Sequence, residues 1–160
     1  MKWWDDLWLN ESFADFMCFL CLSFISEKIP SEITDAWTNM LNEKAWGYEE
    51  DSRLNTHPIA GEVPNTSAAD SIFDGITYSK GAAVLKQLYF IIGHENFSKS
   101  LKDYFSEYSF KNATLKDFLS KMEKNSNGEF EMREFNRQWI ETAGLNVLSH
   151  EIDGNVLRIH

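Results

Sequence analysis

The chain is short of positive charge. Its 160 residues carry 15 Lys and Arg against 25 Asp and Glu, a net charge of −10, and no basic run offsets that balance. Nucleic acid and anionic membrane surfaces both require concentrated positive charge, so neither is expected as the main partner. Long apolar runs are also missing. The best candidate, Phe13–Ile25, is about 13 residues long and contains Asp15, whereas a membrane span needs about 20. A buried helix is therefore expected there rather than a span. Acidic rather than basic residues precede it, unlike a signal peptide, which favours a cytoplasmic location. Cysteine is limited to Cys18 and Cys21, a C-x-x-C set among Phe, Leu and Met. With no second pair to complete a zinc or redox motif, two buried free thiols are expected. The four histidines, His57, His94, His150 and His160, are far apart with no i, i+4 pair, and offer no ready metal site.

What is present is apolar and aromatic. A hydrophobic content of 43%, with twelve phenylalanines and six tryptophans, suits one compact folded domain. Asn10 is placed to cap a first helix that runs to about Ser26. Pro30-Ser31 opens a second, with Ile33, Ala36, Trp37, Met40 and Leu41 on one face and Glu49-Glu50-Asp51 at an exposed end. Residues 53–74 lack helical periodicity and read as the longest loop, a type of segment that is often functional. A helix follows with Ala82, Leu85, Leu88, Tyr89 and Ile92 inward and Gly93 as its stop. The next carries the stripe Phe97, Leu101, Tyr104, Phe105 and Tyr108. Thr114 and Asp117 read as a capping box for a helix with Phe118, Leu119 and Met122 inward. A last helix holds Met132, Phe135, Trp139 and Ile140 and stops near Gly144. Beyond it, Val147–Ile152 and Asn155–Ile159 flank Asp153-Gly154, a two-residue hairpin signal. The expected class is mainly α with a short β-hairpin tail.

Two residues carry chemical interest, each with a plain reading beside a functional one. Glu11 follows three tryptophans within Trp3-Trp4-Asp5-Asp6-Leu7-Trp8-Leu9-Asn10-Glu11. It serves either as a helix-start glutamate favouring the dipole, or as a carboxylate kept among apolar neighbours for a metal or a reaction. Tyr78 lies just before a helix, and is either an aromatic packing one face or a neutral, rigid donor at a reacting oxygen. A third pattern spans Glu123 to Glu134. Asn125, Asn127, Gly128, Glu129, Phe130 and Glu131 fall at positions that an EF-hand loop uses, but Glu123 stands where Asp is expected and no second loop is present to pair with it. A polar helix–helix turn produces the same composition.

The strings WWDDLWLNESFADF, THPI and FDGITYSKGA, in that order, resemble the aminopeptidase N-like zinc metallopeptidases, the gluzincin aminopeptidases. Such enzymes bind zinc through His-Glu-x-x-His on one helix and through a later Glu. Glu11 matches that last ligand, although Ser12 stands where the family usually has Gly. Tyr78 matches the tyrosine that donates a hydrogen bond to the tetrahedral intermediate. No His-Glu-x-x-His occurs in the chain, and the Gly-x-Met-Glu-Asn type motif that grips a substrate's free amine is missing too. The resemblance implies residues 1–144 of a helical C-terminal lobe of a thermolysin-like catalytic domain, with 145–160 opening a following β-sandwich. It further implies zinc and peptide substrates for the parent enzyme, and for this chain alone inactivity, no bound zinc, and self-association through uncovered apolar surface. The alternatives are a helical binding module derived from that lobe and a calcium-binding EF-hand-like protein.

Overall fold

The computed structural model describes residues 1–29, 35–126, 128 and 130–160. A 3-10 turn at Trp4–Asp6 leads straight into α1 (Leu7–Lys28), so the helix starts one turn earlier than a cap at Asn10 predicts. Asp5 and Asp6 direct their carboxylates to distant segments: Asp5 accepts the Val63 amide at 2.8 Å and Asp6 the Leu115 amide at 2.9 Å. The entry to α1 is therefore pinned by tertiary contacts, and Asn10 lies inside the helix.

Apolar residues occur around the whole circumference of α1, but only one side is covered. Trp8, Ser12, Phe16 and Leu20, spaced by four, are buried, while Ala14, Cys18, Cys21 and Ile25 form an exposed stripe on another face. The two thiols are thus exposed and not buried as their neighbours suggest. Trp4–Lys28 is by length and composition long enough to cross a membrane, although the apolar stretch within it is shorter.

The expected helix start at Pro30-Ser31 and the inward Ile33 lie outside the described residues. The helix itself, α2 (Ala36–Asp51), is capped by Asp35, which accepts the Trp37 amide at 3.0 Å. Ala36 and Met40 face inward as expected, Trp37 is half-buried, and Leu41 points to solvent. The acidic end is not uniformly exposed, because Asp51 is buried. Within the long segment 53–74, Asn65 caps a six-residue helix, α3 (Thr66–Ser71), too short to leave a helical period in the sequence.

A π-helical turn at Ile76–Lys80 runs directly into α4 (Gly81–Ile92), which ends at Gly93 with φ 80°. Then come α5 (His94–Tyr108), α6 (Leu115–Asn125) with the expected Thr114–Asp117 capping box, and α7 (Met132–Phe135) continuing into a second π turn at Asn136–Ile140. The core lies where α1, α4, α5 and α6 meet. Phe16 and Tyr89 surround Phe97 with edge-on rings, and Phe118, Met122 and Leu88 are fully buried. On α5 only Phe97 of the predicted aromatic stripe is fully buried, and Phe105 lies largely exposed.

The tail pairs β1 (His150–Asp153) antiparallel with β2 (Val156–Ile159). Asp153 pairs with Val156, so the two turn residues are Gly154-Asn155, one position later than the Asp-Gly signal suggests. Gly154 takes φ 59°, the positive φ that a type II′ turn places at its first central residue. One hairpin face carries His150, Ile152, Leu157 and Ile159, the other Glu151, Asp153, Val156 and Arg158, and all are exposed.

Candidate active site

The π turn at Ile76–Lys80 is the centre of the site, because it fixes Tyr78 between α1 and α2. Such a turn inserts one extra residue and displaces its hydrogen bonds: both Ser79 and Lys80 donate to the Gly75 carbonyl, at 3.0 and 2.9 Å. The Thr77 carbonyl is met instead from α1, by the fully buried Ser12 hydroxyl at 2.5 Å. Close approach is possible because two glycines line the contact. A Cβ on Gly81 would overlap the Ser12 hydroxyl and stand 2.8 Å from Ser12 Cβ; one on Gly75 would stand 2.7 Å from the Trp46 carbonyl of α2.

Side chains brace the turn at both ends. At its start, Asp74 Oδ1 accepts the Ile76 and Thr77 amides at 2.9 and 3.2 Å, and the Asp74 carbonyl accepts the Tyr78 amide at 3.1 Å. Asp74 Oδ2 lies 3.0 Å from His57 Nε2, and His57 Nδ1 lies 2.8 Å from the Pro58 carbonyl. The THPI and FDGITYSKGA segments are thereby joined. At the turn's other end, the Lys80 ammonium lies 2.8 Å from Asp51 Oδ2, with the Asp51 side chain at 0% exposure. Asp51 Oδ1 also accepts the Thr56 hydroxyl at 2.7 Å and the Gly144 amide at 3.1 Å.

Tyr78 stacks on Trp46 with ring centroids 6.0 Å apart and an interplanar angle of 30°. Its phenol is pushed above its ordinary pKa, first by burial, then by the negative charge and hydrogen-bonding influence of Glu11, and last by Asp15. Residues 11 and 78, far apart in the chain, are therefore neighbours in space. Glu11 Oε1 accepts from Asn10 Nδ2 at 3.3 Å and has no lysine or arginine partner among the described residues. Asp15, one turn further along α1, is raised above its ordinary carboxylate value by burial and by the charges of Glu43 and Glu11. The arrangement gives a half-buried acidic edge facing a neutral phenol.

A catalytic zinc takes three protein ligands. The described residues bring no three His, Cys, Asp or Glu side chains together in that way. His57 is engaged with Asp74, His94 lies 3.1 Å from the Tyr89 hydroxyl, and His150 and His160 belong to the tail. The histidines thus have other partners or lie far from Glu11 in the chain, and among the described residues Glu11 has no second and third ligand beside it. The calcium-loop pattern is partly occupied by other bonds. Asn125 is buried and donates to Lys121 O and Asp103, and Glu134 is held by Arg137 and Gln138; Asn127 and Glu129 lie outside the described residues.

Asp51, Trp46 and the partnership of His57 with Asp74 have no signal at the level of sequence motifs. Only Asp74 had a local cue, an Asp two residues before an amide that opens a helical turn, which is a capping pattern.

The chain matches the model of the Peptidase family M1 domain over residues 1–139. It is 40% identical to aminopeptidase N of Streptomyces lividans over 154 residues, 96% of this chain and 17% of that protein. It is 34% identical to a probable aminopeptidase 2 of Sulfurisphaera tokodaii, over 99% of this chain and 20% of that protein. Tricorn protease-interacting factor F2 of Thermoplasma volcanium is 35% identical, again with 99% and 20% covered. The chain thus spans about a fifth or less of the length of these relatives.

Proposed function

The chain belongs to peptidase family M1, which implies a metal cofactor, and on that premise we propose that it is part of a zinc aminopeptidase's catalytic domain. In this reading the parent enzyme hydrolyses the N-terminal residue from peptides. The observation that carries it is the proximity of Glu11 and Tyr78 in space, each at the position that the family resemblance assigns to a functional residue. Glu11 is the third metal ligand, completing a set whose two histidines and general base belong to other segments of a longer protein. Tyr78 donates a hydrogen bond to the oxyanion of the tetrahedral intermediate. A phenol is protonated at neutral pH, as a donor must be, and burial and the Glu11 charge move its titration further from that range. Residues 1–144 act as the helical lobe, and 145–160 open a β domain. The hairpin's uncovered apolar face supports that division, because a two-stranded ribbon is at best marginally stable until another layer packs on it.

The test compares zinc content and aminoacyl-amide hydrolysis in this chain and in the same chain extended upstream by its native coding sequence. Zinc and activity are expected in the extended form. There Tyr78→Phe should retain the metal and lose about 100- to 1,000-fold in rate, while Glu11→Gln should lose both. An extended protein with neither zinc nor activity would replace this reading with a helical binding module built on the same lobe. For the chain alone, the apolar hairpin face and the exposed stripe of α1 are expected to drive self-association, to be read by sedimentation. A monodisperse, cooperatively melting monomer would oppose that expectation.

A further inference from the structure

Building on the reading of Tyr78 as the donor, we propose that His57 and Asp74 form a charged strap that positions Tyr78. The strap has continuous links. Asp74 binds three successive amides, Ile76 and Thr77 through its carboxylate and Tyr78 through its carbonyl, so its placement sets where the Tyr78 backbone starts. Asp74 is in turn held by His57, 17 residues earlier in the chain. Both atoms facing the imidazole, the Pro58 carbonyl and the Asp74 carboxylate, accept hydrogen bonds only. Both contacts are satisfied at once only when each ring nitrogen carries a proton, that is, in the imidazolium form. A neutral ring has a single N–H and must leave one of the two acceptors facing a lone pair.

The far end of the strap is anchored to the body of the fold. Thr56 bonds the buried Asp51, Ile59 is buried, and the Ala60 amide donates to the Ile140 carbonyl at 3.0 Å. The charged groups around His57 are Asp74, which favours the imidazolium, and Lys80, which opposes it and is itself paired with Asp51. The balance falls to Asp74. Its hydrogen bond raises the His57 pKa above 6.5 against the effect of burial. Burial pushes the Asp74 carboxyl up, but His57 and the Thr77 and Ile76 amides together outweigh it and hold it below its ordinary value.

These directions define a window. A raised histidine contributes stability that is fully present below its unfolded value, about 6.5, and lost as pH rises through the folded value. A depressed aspartate contributes stability present above about 3.9 and lost as pH falls through its folded value. The strap is therefore complete from about pH 3.9 up to about 6.5, and it loses one of its two His57 hydrogen bonds as pH rises through the raised His57 midpoint.

The test is a pH titration of this chain by NMR, following the His57 ring together with the ring signals of Tyr78 and Trp46. The His57 midpoint is expected above 6.5, with the Tyr78 and Trp46 signals stepping at that same midpoint. Asp74→Asn keeps an acceptor for the capped amides but removes the charge. In it, the His57 midpoint should fall to about 6.5 or below and the step in the aromatic signals should vanish. Aromatic signals in the parent chain that ignore the His57 midpoint, or an Asp74→Asn midpoint equal to the parent's, would overturn the proposal. The titration of the parent chain decides the matter even if the variant does not fold. No metal, substrate or activity enters the readout, so failure here leaves the peptidase reading to its own test.

Discussion

Two π turns lie among the described residues, and they are held in different ways. Ile76–Lys80 is gripped from outside by Ser12 of α1, by Asp51 and the Trp46 backbone of α2, and by His57 from the preceding loop. The hydrogen bonds of Asn136–Ile140 run mostly to close neighbours in sequence. Glu141 donates to the Asn136 carbonyl at 3.0 Å, Thr142 to the Arg137 carbonyl at 2.7 Å, and the Glu134–Arg137 pair beside it is solvent-exposed. Among the described residues, its long-range hydrogen bond is from the Ala60 amide to the Ile140 carbonyl. An irregular turn persists where its surroundings over-determine it. The first turn meets that condition with buried polar groups and carries the candidate donor. The second is anchored instead by apolar burial, with Ile140 in the core and Trp139 packed against it.

The contrast is broken most sharply at Asp51. Asp51→Ala removes one partner of a buried ion pair and two further hydrogen bonds, so a loss of about 3–5 kcal/mol is expected in urea unfolding. A neutral result would mean that the first turn is no more tightly held than the second. Gly81→Ala should lose about 1–3 kcal/mol by overpacking against Ser12. Combining it with Ser12→Gly should recover much of that loss, because the clash then disappears; additive single effects would disprove the direct contact. The smallest effect belongs to the second turn. Glu134→Gln should leave the unfolding midpoint unchanged, since its ion pair is screened by water, and should alter no response to added calcium.

Much of the fold was legible because its signals are local. The Thr114–Asp117 capping box, the Gly93 stop and the inward faces of α4 and α6 follow from periodicity and terminal chemistry, and all are present as read. The misreadings share a different cause. Asn10 looked like a cap, but the helix start is set by contacts from Asp5 and Asp6 to residues 63 and 115. Asp51 looked like one more solvated acid until Lys80 and Gly144 converged on it. Cys18 and Cys21 looked buried because their neighbours are apolar, yet an all-round apolar helix buries only the face that other elements reach. Glu11 and Tyr78 were each singled out through family strings, whereas their proximity in space had no signal in the sequence.

The sequence by itself determined the helical periods, the Thr114–Asp117 capping box, the Gly93 stop, the hairpin and the order of the motif strings, because each depends on residues within a turn or two of one another. Only the tertiary structure decided that Ser12 completes the π turn, that His57 straps Asp74, that Asp51 and Lys80 are a buried pair, and that Glu11 raises the pKa of the Tyr78 phenol. Those relations join residues 17 to 67 positions apart. Burial, pairing and pKa depend on which charges and dipoles become neighbours in space, and that is settled when the helices pack.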